Sequence, residues 1–144
     1  MAGKSDTFEN DVLKLIFNAT AVANIADNAA SSPLTALWCA LHTADPGDTG
    51  TQGTSEGGYA QYTRISVART TAGWAVTNNS VSPVANVDFP QNTSTSTGTF
   101  TYASVGVASA TTGGTYLYAG ALSPTISFSQ NVTPRITTGS SITE

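Results

Sequence analysis

Leu34-Thr-Ala-Leu-Trp-Cys-Ala-Leu-His42 is the stretch on which the fold turns. Its apolar residues do not alternate with polar ones, and the run is too short and too aromatic to prefer a helix. Apolar side chains on both faces suit a strand covered on each side, so the segment is expected in the middle of a sheet. Upstream the period is helical. Asp6 stands as an N-cap with Glu9 three residues later, and Phe8, Val12, Leu15 and Ile16 follow at helical spacing, with Leu13 and Phe17 widening the stripe. This predicts a helix over 6–18. An Ala-rich piece from Ala21 to Ala30 either continues as a second short helix or lies as an ordered arm, until Ser31-Ser32-Pro33 breaks it.

Downstream, Thr43 to Gly58 holds Pro46, five glycines and the acids Asp45, Asp48 and Glu56, a composition expected to form a long surface loop. Strand signals then recur at Tyr59 to Arg69, Trp74 to Thr77, Val84 to Phe89, Thr99 to Ala108, Thr115 to Leu122, Thr125 to Ser129 and Arg135 to Ile142. The turns expected between them include Asn78-Asn79, Thr112-Gly113-Gly114 and Ser123-Pro124. The expected fold is mainly β: a single-domain antiparallel β-sandwich or jelly-roll-like fold with an N-terminal α-helix. Residues 1–30 form its helix and arm, and residues 31–144 form the sandwich as one folding unit.

Composition narrows the function. The chain has 144 residues, enough for one core without staples. Only 10 % are charged, against roughly 25 % in typical soluble domains, while 24 Thr and 16 Ser supply surface hydroxyls. Five Lys and Arg against nine Asp and Glu leave no basic footprint for nucleic acid or an anionic membrane. No apolar run approaches the roughly 18 residues of a membrane span, and acids at Asp6, Glu9 and Asp11 interrupt any signal-peptide core. Neither nucleic acid nor membrane is an expected partner.

Cys39 and His42 are the sole cysteine and histidine, so a disulfide framework or a Cys/His zinc site cannot be assembled. The apolar neighbours of Cys39 mark it as a buried inert thiol. His42 has no second base in view and no Gly-x-Ser-x-Gly context, which argues against an enzyme and for a structural histidine. Asp45, Asp48 and Glu56 match no calcium-loop spacing, and a solvated loop accounts for them better, so neither metal nor cofactor is expected. Tyr59, Tyr62, Trp74, Tyr102, Tyr116 and Tyr118 could line a sugar-binding face, although alternate aromatics on strands are more often core. Arg64 and Arg69, an odd number of positions apart, are expected on opposite faces of one strand. Arg135, the lone charge between Phe89 and Ile142, is expected to pair with an acid elsewhere, within the chain or across a subunit boundary.

Several short motifs carry a resemblance over nearly the whole chain. They are Glu9-Asn10, Leu-Lys-Leu-Ile-Phe-Asn-Ala-Thr (13 to 20), Leu-Trp-Cys-Ala-Leu-His-Thr-Ala-Asp-Pro (37 to 46) and Gly-Gly-Tyr-Ala-Gln-Tyr-Thr-Arg (57 to 64). Asn-Val-Asp-Phe-Pro (86 to 90), Leu-Tyr-Ala-Gly-Ala-Leu (117 to 122) and Thr-Pro-Arg-Ile (133 to 136) complete the set. In this order they resemble small tailed-bacteriophage virion proteins, often called "phage tail fiber protein" and similar to capsid decoration, or cement, proteins. The resemblance implies a virion structural protein on the capsid surface, made in the host cytoplasm. It would bind the major capsid protein as a homotrimer and stabilise the shell by bridging its subunits. Phe8, Val12, Leu15, Ile16 and Arg135 are then the expected subunit or capsid contacts. The alternative is a tail-associated fibre component that touches host-surface glycan. The chain lacks the coiled-coil or β-helix repeats of a long shaft, so a compact domain that clamps onto a lattice is the preferred reading.

Overall fold

The computed structural model describes residues 5–22 and 33–143. Its elements run in the order α1 (Asp6–Asn18), β1 (Ala36–His42), β2 (Ile65–Ala68), β3 (Trp74–Thr77), β4 (Ser80–Pro83), β5 (Val87–Asp88), β6 (Gly98–Gly106), β7 (Tyr116–Phe128), β8 (Arg135–Ile136) and β9 (Ile142–Thr143). One sheet has the order β2-β1-β6-β7, a second β3-β4-β9, and β5 pairs with β8. The architecture is mainly β, with antiparallel sheets and one N-terminal helix among the described residues, as the sequence predicts. The chain divides into two compact units: residues 1–36, 67–86 and 137–144 form one, and 37–66 with 87–136 the other. Most of the Ala-rich piece at 21–30 lies outside the described residues.

In the first unit α1 has the predicted span but not the predicted cap. Ser5, extended at φ −78° and ψ 150°, accepts a hydrogen bond from the Phe8 N–H at 3.4 Å. Serine caps as well as aspartate does, and the cap at Ser5 makes Asp6 the first helical residue. The helix ends on the left-handed Ala19 (φ 53°), and Thr20 N–H donates to Lys14 O. Its last turn carries no basic residue. Arg69 supplies one from a distance: its Nε and Nη2 donate to the carbonyls of Ile16 and Leu15, both at 2.5 Å. Leu13 and Phe17 are fully buried, and the helix packs on β3 and β4 with Phe17 edge-on to Trp74 at 4.8 Å. β3 and β4 form a hairpin through Asn78-Asn79, the predicted turn.

In the second unit β1 pairs with β6 from Trp38↔Gly106 to His42↔Tyr102, and lies inside its sheet with Leu37, Cys39, Ala40, Leu41 and His42 all buried. The apolar run therefore means what its lack of alternation predicts. The core is aromatic. Phe100 and Phe128 sit 4.8 Å apart, Tyr62 stacks on Phe89 at 5.7 Å, and Tyr59 meets Tyr62 edge-on at 5.8 Å. The Phe128 ring lies against Gly58 and Gly98, where an added Cβ would stand 2.5 and 2.6 Å from it, so both positions are glycine because the ring occupies the space.

Four strand expectations need correction. Only Ile65–Ala68 of Tyr59 to Arg69 is strand, because a turn closed by Tyr62 N–H to Tyr59 O swings both tyrosines into the core. Of the strand expected over Val84 to Phe89 only Val87–Asp88 pairs, as the short β5, while the strand that partners β3 is β4, Ser80–Pro83, ahead of the expected run. The turn expected at Ser123-Pro124 lies inside a continuous β7, where the β6 register shifts between Phe100 and Tyr102. An outer strand tolerates a residue that donates no ladder hydrogen bond. Arg135 to Ile142 splits into β8 and β9 around a turn closed by Ser140 N–H to Thr137 O.

Candidate functional site

The loop at 43–58 is built from its buried residues outward. Glu56 was expected to be solvated with Asp45 and Asp48; instead its side chain is 2 % exposed and paired with Arg64, itself wholly buried. Arg64 Nε and Nη2 grip the two Glu56 oxygens at 2.8 and 2.7 Å, while Nη1 and Nη2 also reach the carbonyls of Ala108 and Gly113 at 2.9 Å. One guanidinium thus fastens the 43–58 loop to the loop between β6 and β7. Burying these charges costs less because both ends are hydrogen-bonded. Tyr62 adds a donor to Glu56 at 3.1 Å, and burial pushes its phenol far above the usual tyrosine range.

His42 anchors the same loop. Nδ1 lies 2.9 Å from Thr54 O, so Nδ1 carries the proton, and Nε2 accepts from the Ser104 hydroxyl at 2.7 Å. Burial lowers the imidazole pKa, which keeps the ring neutral in this arrangement. A Ser–His hydrogen bond is the opening move of nucleophilic catalysis, but Ser104 is 2 % exposed and His42 is not exposed at all, so the pair is sealed from any substrate. Gln52, fully buried, donates to Trp38 O at 2.7 Å, and its own N–H bonds Gly114 O.

Held by these struts, the two loops frame an open depression of about 320 Å³ lined by Asp48, Gly50, Thr51, Gly114, Thr115 and Tyr116. Tyr116 closes one side by donating to Gly47 O at 2.7 Å. The lining offers hydroxyls, one carboxylate and one tyrosine.

The other expected site residues fall elsewhere. Phe8 is 39 % exposed and Val12, Leu15 and Ile16 are half-buried, because the helix turns Leu13 and Phe17 inward instead. Apolar surface is thus left on the expected contact stripe. Arg135 finds its acid within the chain, gripping both oxygens of Asp88, its partner across the β5–β8 ladder. That pair is about half exposed. The six aromatics do not assemble into one face: Tyr59 and Tyr62 are core, Trp74 packs on Phe17, and Tyr116 borders the depression. Cys39 is buried, and its thiol is pushed up to about 12. Sequence reasoning missed Gln52, Ser104 and the pairing of Glu56 with Arg64. In a chain so poor in charge, opposite charges eight residues apart beside aromatic residues are the signal that could have found the last.

Among the described residues no helix is long and apolar enough to cross a membrane. A comparison with curated proteins finds no match. A family model described as podophage GP4 fiber I protein gp80 matches residues 3–143, nearly the whole chain, and the protein therefore belongs to that family of phage fiber and virion structural proteins.

Proposed function

We propose that the protein is a structural component of a phage tail fibre, working as a closed homo-oligomer through protein and glycan recognition rather than catalysis. The family match carries this reading, because the family is named for a fibre. The burial of its reactive groups supports it: His42, Ser104 and Cys39 are sealed in the interior, and Glu56 and Arg64 are spent on holding loops. Exposed hydroxyls, the depression beside Tyr116 and the half-exposed apolar stripe of α1 are available for contact. A hydrolytic activity that disappeared in a folded His42→Ala variant would overturn the non-catalytic part.

A second reading, capsid decoration, is favoured by the short elements: the longest strand among the described residues is 13 residues, too short to build a shaft. Under it the partner is the major capsid protein, the oligomer a trimer, and the free energy of binding the assembled shell stabilises that shell. Quantitative mass spectrometry of purified virions separates the two. A handful of copies per particle is expected for a fibre; tens to hundreds, in simple ratio to the major capsid protein, would transfer the assignment to decoration. Absence from the virion would overturn both.

A further inference from the structure

Gly120 lies in the middle of β7, and nothing inside the described chain requires a glycine there. Its φ is not positive, unlike those of Gly47, Gly57, Gly113 and Gly114, and a Cβ built on it would meet nothing within 4 Å. Glycine weakens a strand, and in a strand interior it marks the close approach of another backbone or ring. Among the described residues β7 is the outer strand of its sheet, and the approach we infer comes from a second chain. Outer strands are ordinarily blunted with charge, yet no Asp, Glu, Lys or Arg occurs between Asp88 and Arg135, and Leu117, Ala119 and Ala121 are exposed. A charge-free edge offers no ion-pair partner to a charged strand and fits another edge of the same kind.

The sequence around Gly120 specifies which one. Tyr118-Ala-Gly-Ala-Leu122 is nearly symmetric about its centre, with alanine on either side of the glycine and a bulky apolar residue beyond each. An antiparallel strand related by a two-fold axis at Gly120 places Ala119 opposite Ala121 of the second copy and Tyr118 opposite its Leu122, with glycine facing glycine. We infer that β7 pairs with β7 of a second copy of this chain, antiparallel about Gly120, and joins two four-stranded sheets into one of eight. The register shifts between Phe100 and Tyr102 and between Val105 and Gly106 flank the regular run Tyr118–Ala121 and centre the pairing on it, with Leu122 at its border. Under the fibre reading the pair is the two-fold contact of a closed homo-oligomer; a threefold trimer has no two-fold axis, so under the decoration reading the pair would join two trimers.

The test uses the full chain. Native mass spectrometry is expected to show an assembly containing the pair, and Gly120→Cys is expected to form a disulfide-linked dimer under mild oxidation. Gln130→Cys, also exposed, should not cross-link, and Cys39 is too buried to compete. Gly120→Glu, with room for its side chain, should leave the circular dichroism spectrum unchanged and halve the mass of the pair. A wild-type monomer would overturn the inference, as would an assembly in which Gly120→Cys does not cross-link. Should Gly120→Glu misfold, the cross-linking result decides alone.

Discussion

In the unit built on β6 and β7, a buried arginine, glutamate, histidine and glutamine hold loops in place through hydrogen bonds; in the unit that carries α1, apolar packing does the same task. There Phe17 packs edge-on against Trp74, Leu13 is buried on the same helix, and Arg69 reaches the carbonyls at the helix terminus. Among the described residues, the side-chain atoms buried without a partner follow the same division. Asn10 Oδ1, Asn18 Oδ1 and Trp74 Nε1 belong to the helical unit, and Gln52 Oε1 to the other. The contrast teaches that low charge does not mean a purely apolar interior: the few charges present are placed where a loop must be held still.

Removing one partner of the buried pair should have the largest effect. Glu56→Ala strands the Arg64 charge and is expected to cost about 3–5 kcal/mol in urea unfolding. Asp88→Ala, which breaks the half-exposed pair with Arg135, should cost far less. Equal effects would break the distinction between loop-holding and surface charges. In the helical unit, Leu13→Ala is expected to cost about 3 kcal/mol, whereas Phe8→Ala should stay close to wild type. The reverse order would mean that the expected contact stripe, not the Leu13 and Phe17 face, holds the helix.

Gly98→Ala sharpens the account of the aromatic core. The added methyl meets the Phe128 ring, and overpacking of this kind costs about 1–3 kcal/mol, read as a lowered midpoint in the same titration. The smallest effect is that of pH on His42. Burial holds its folded pKa below the model-peptide 6.5, so above that pH the ring is neutral in both states and contributes no slope. As the pH falls below 6.5, the unfolded chain takes up a proton that the buried ring refuses, and stability drops until the folded pKa is reached. In His42→Gln this part of the slope between neutral and mildly acid pH should vanish; an unchanged slope would assign it to carboxylates.

Much of the fold is legible along the chain. The span of α1, the burial of β1 on both faces and the hairpin at Asn78-Asn79 each follow from residues within a few positions of one another. Arg135 is an intermediate case: its isolation predicts an acid, but only the β5–β8 register identifies Asp88. The candidate site is less legible, because the groups that position it are bonded across the fold. Ser104 is 62 residues from His42, and Arg64 is 44 and 49 residues from the carbonyls it holds.

Local period and composition by themselves determined a mainly β chain with one helix at its start, an inert cysteine, and a surface of hydroxyls with few charges. Periodicity can do this because it records which faces avoid water, a property each segment carries alone. Tertiary structure decided which apolar stripe of α1 turns inward, that Glu56 leaves its acidic loop for Arg64, and that Ser123-Pro124 stays within a strand. These choices are settled by partners remote in sequence, where a buried charge or an unpaired carbonyl must find its complement wherever the fold supplies one.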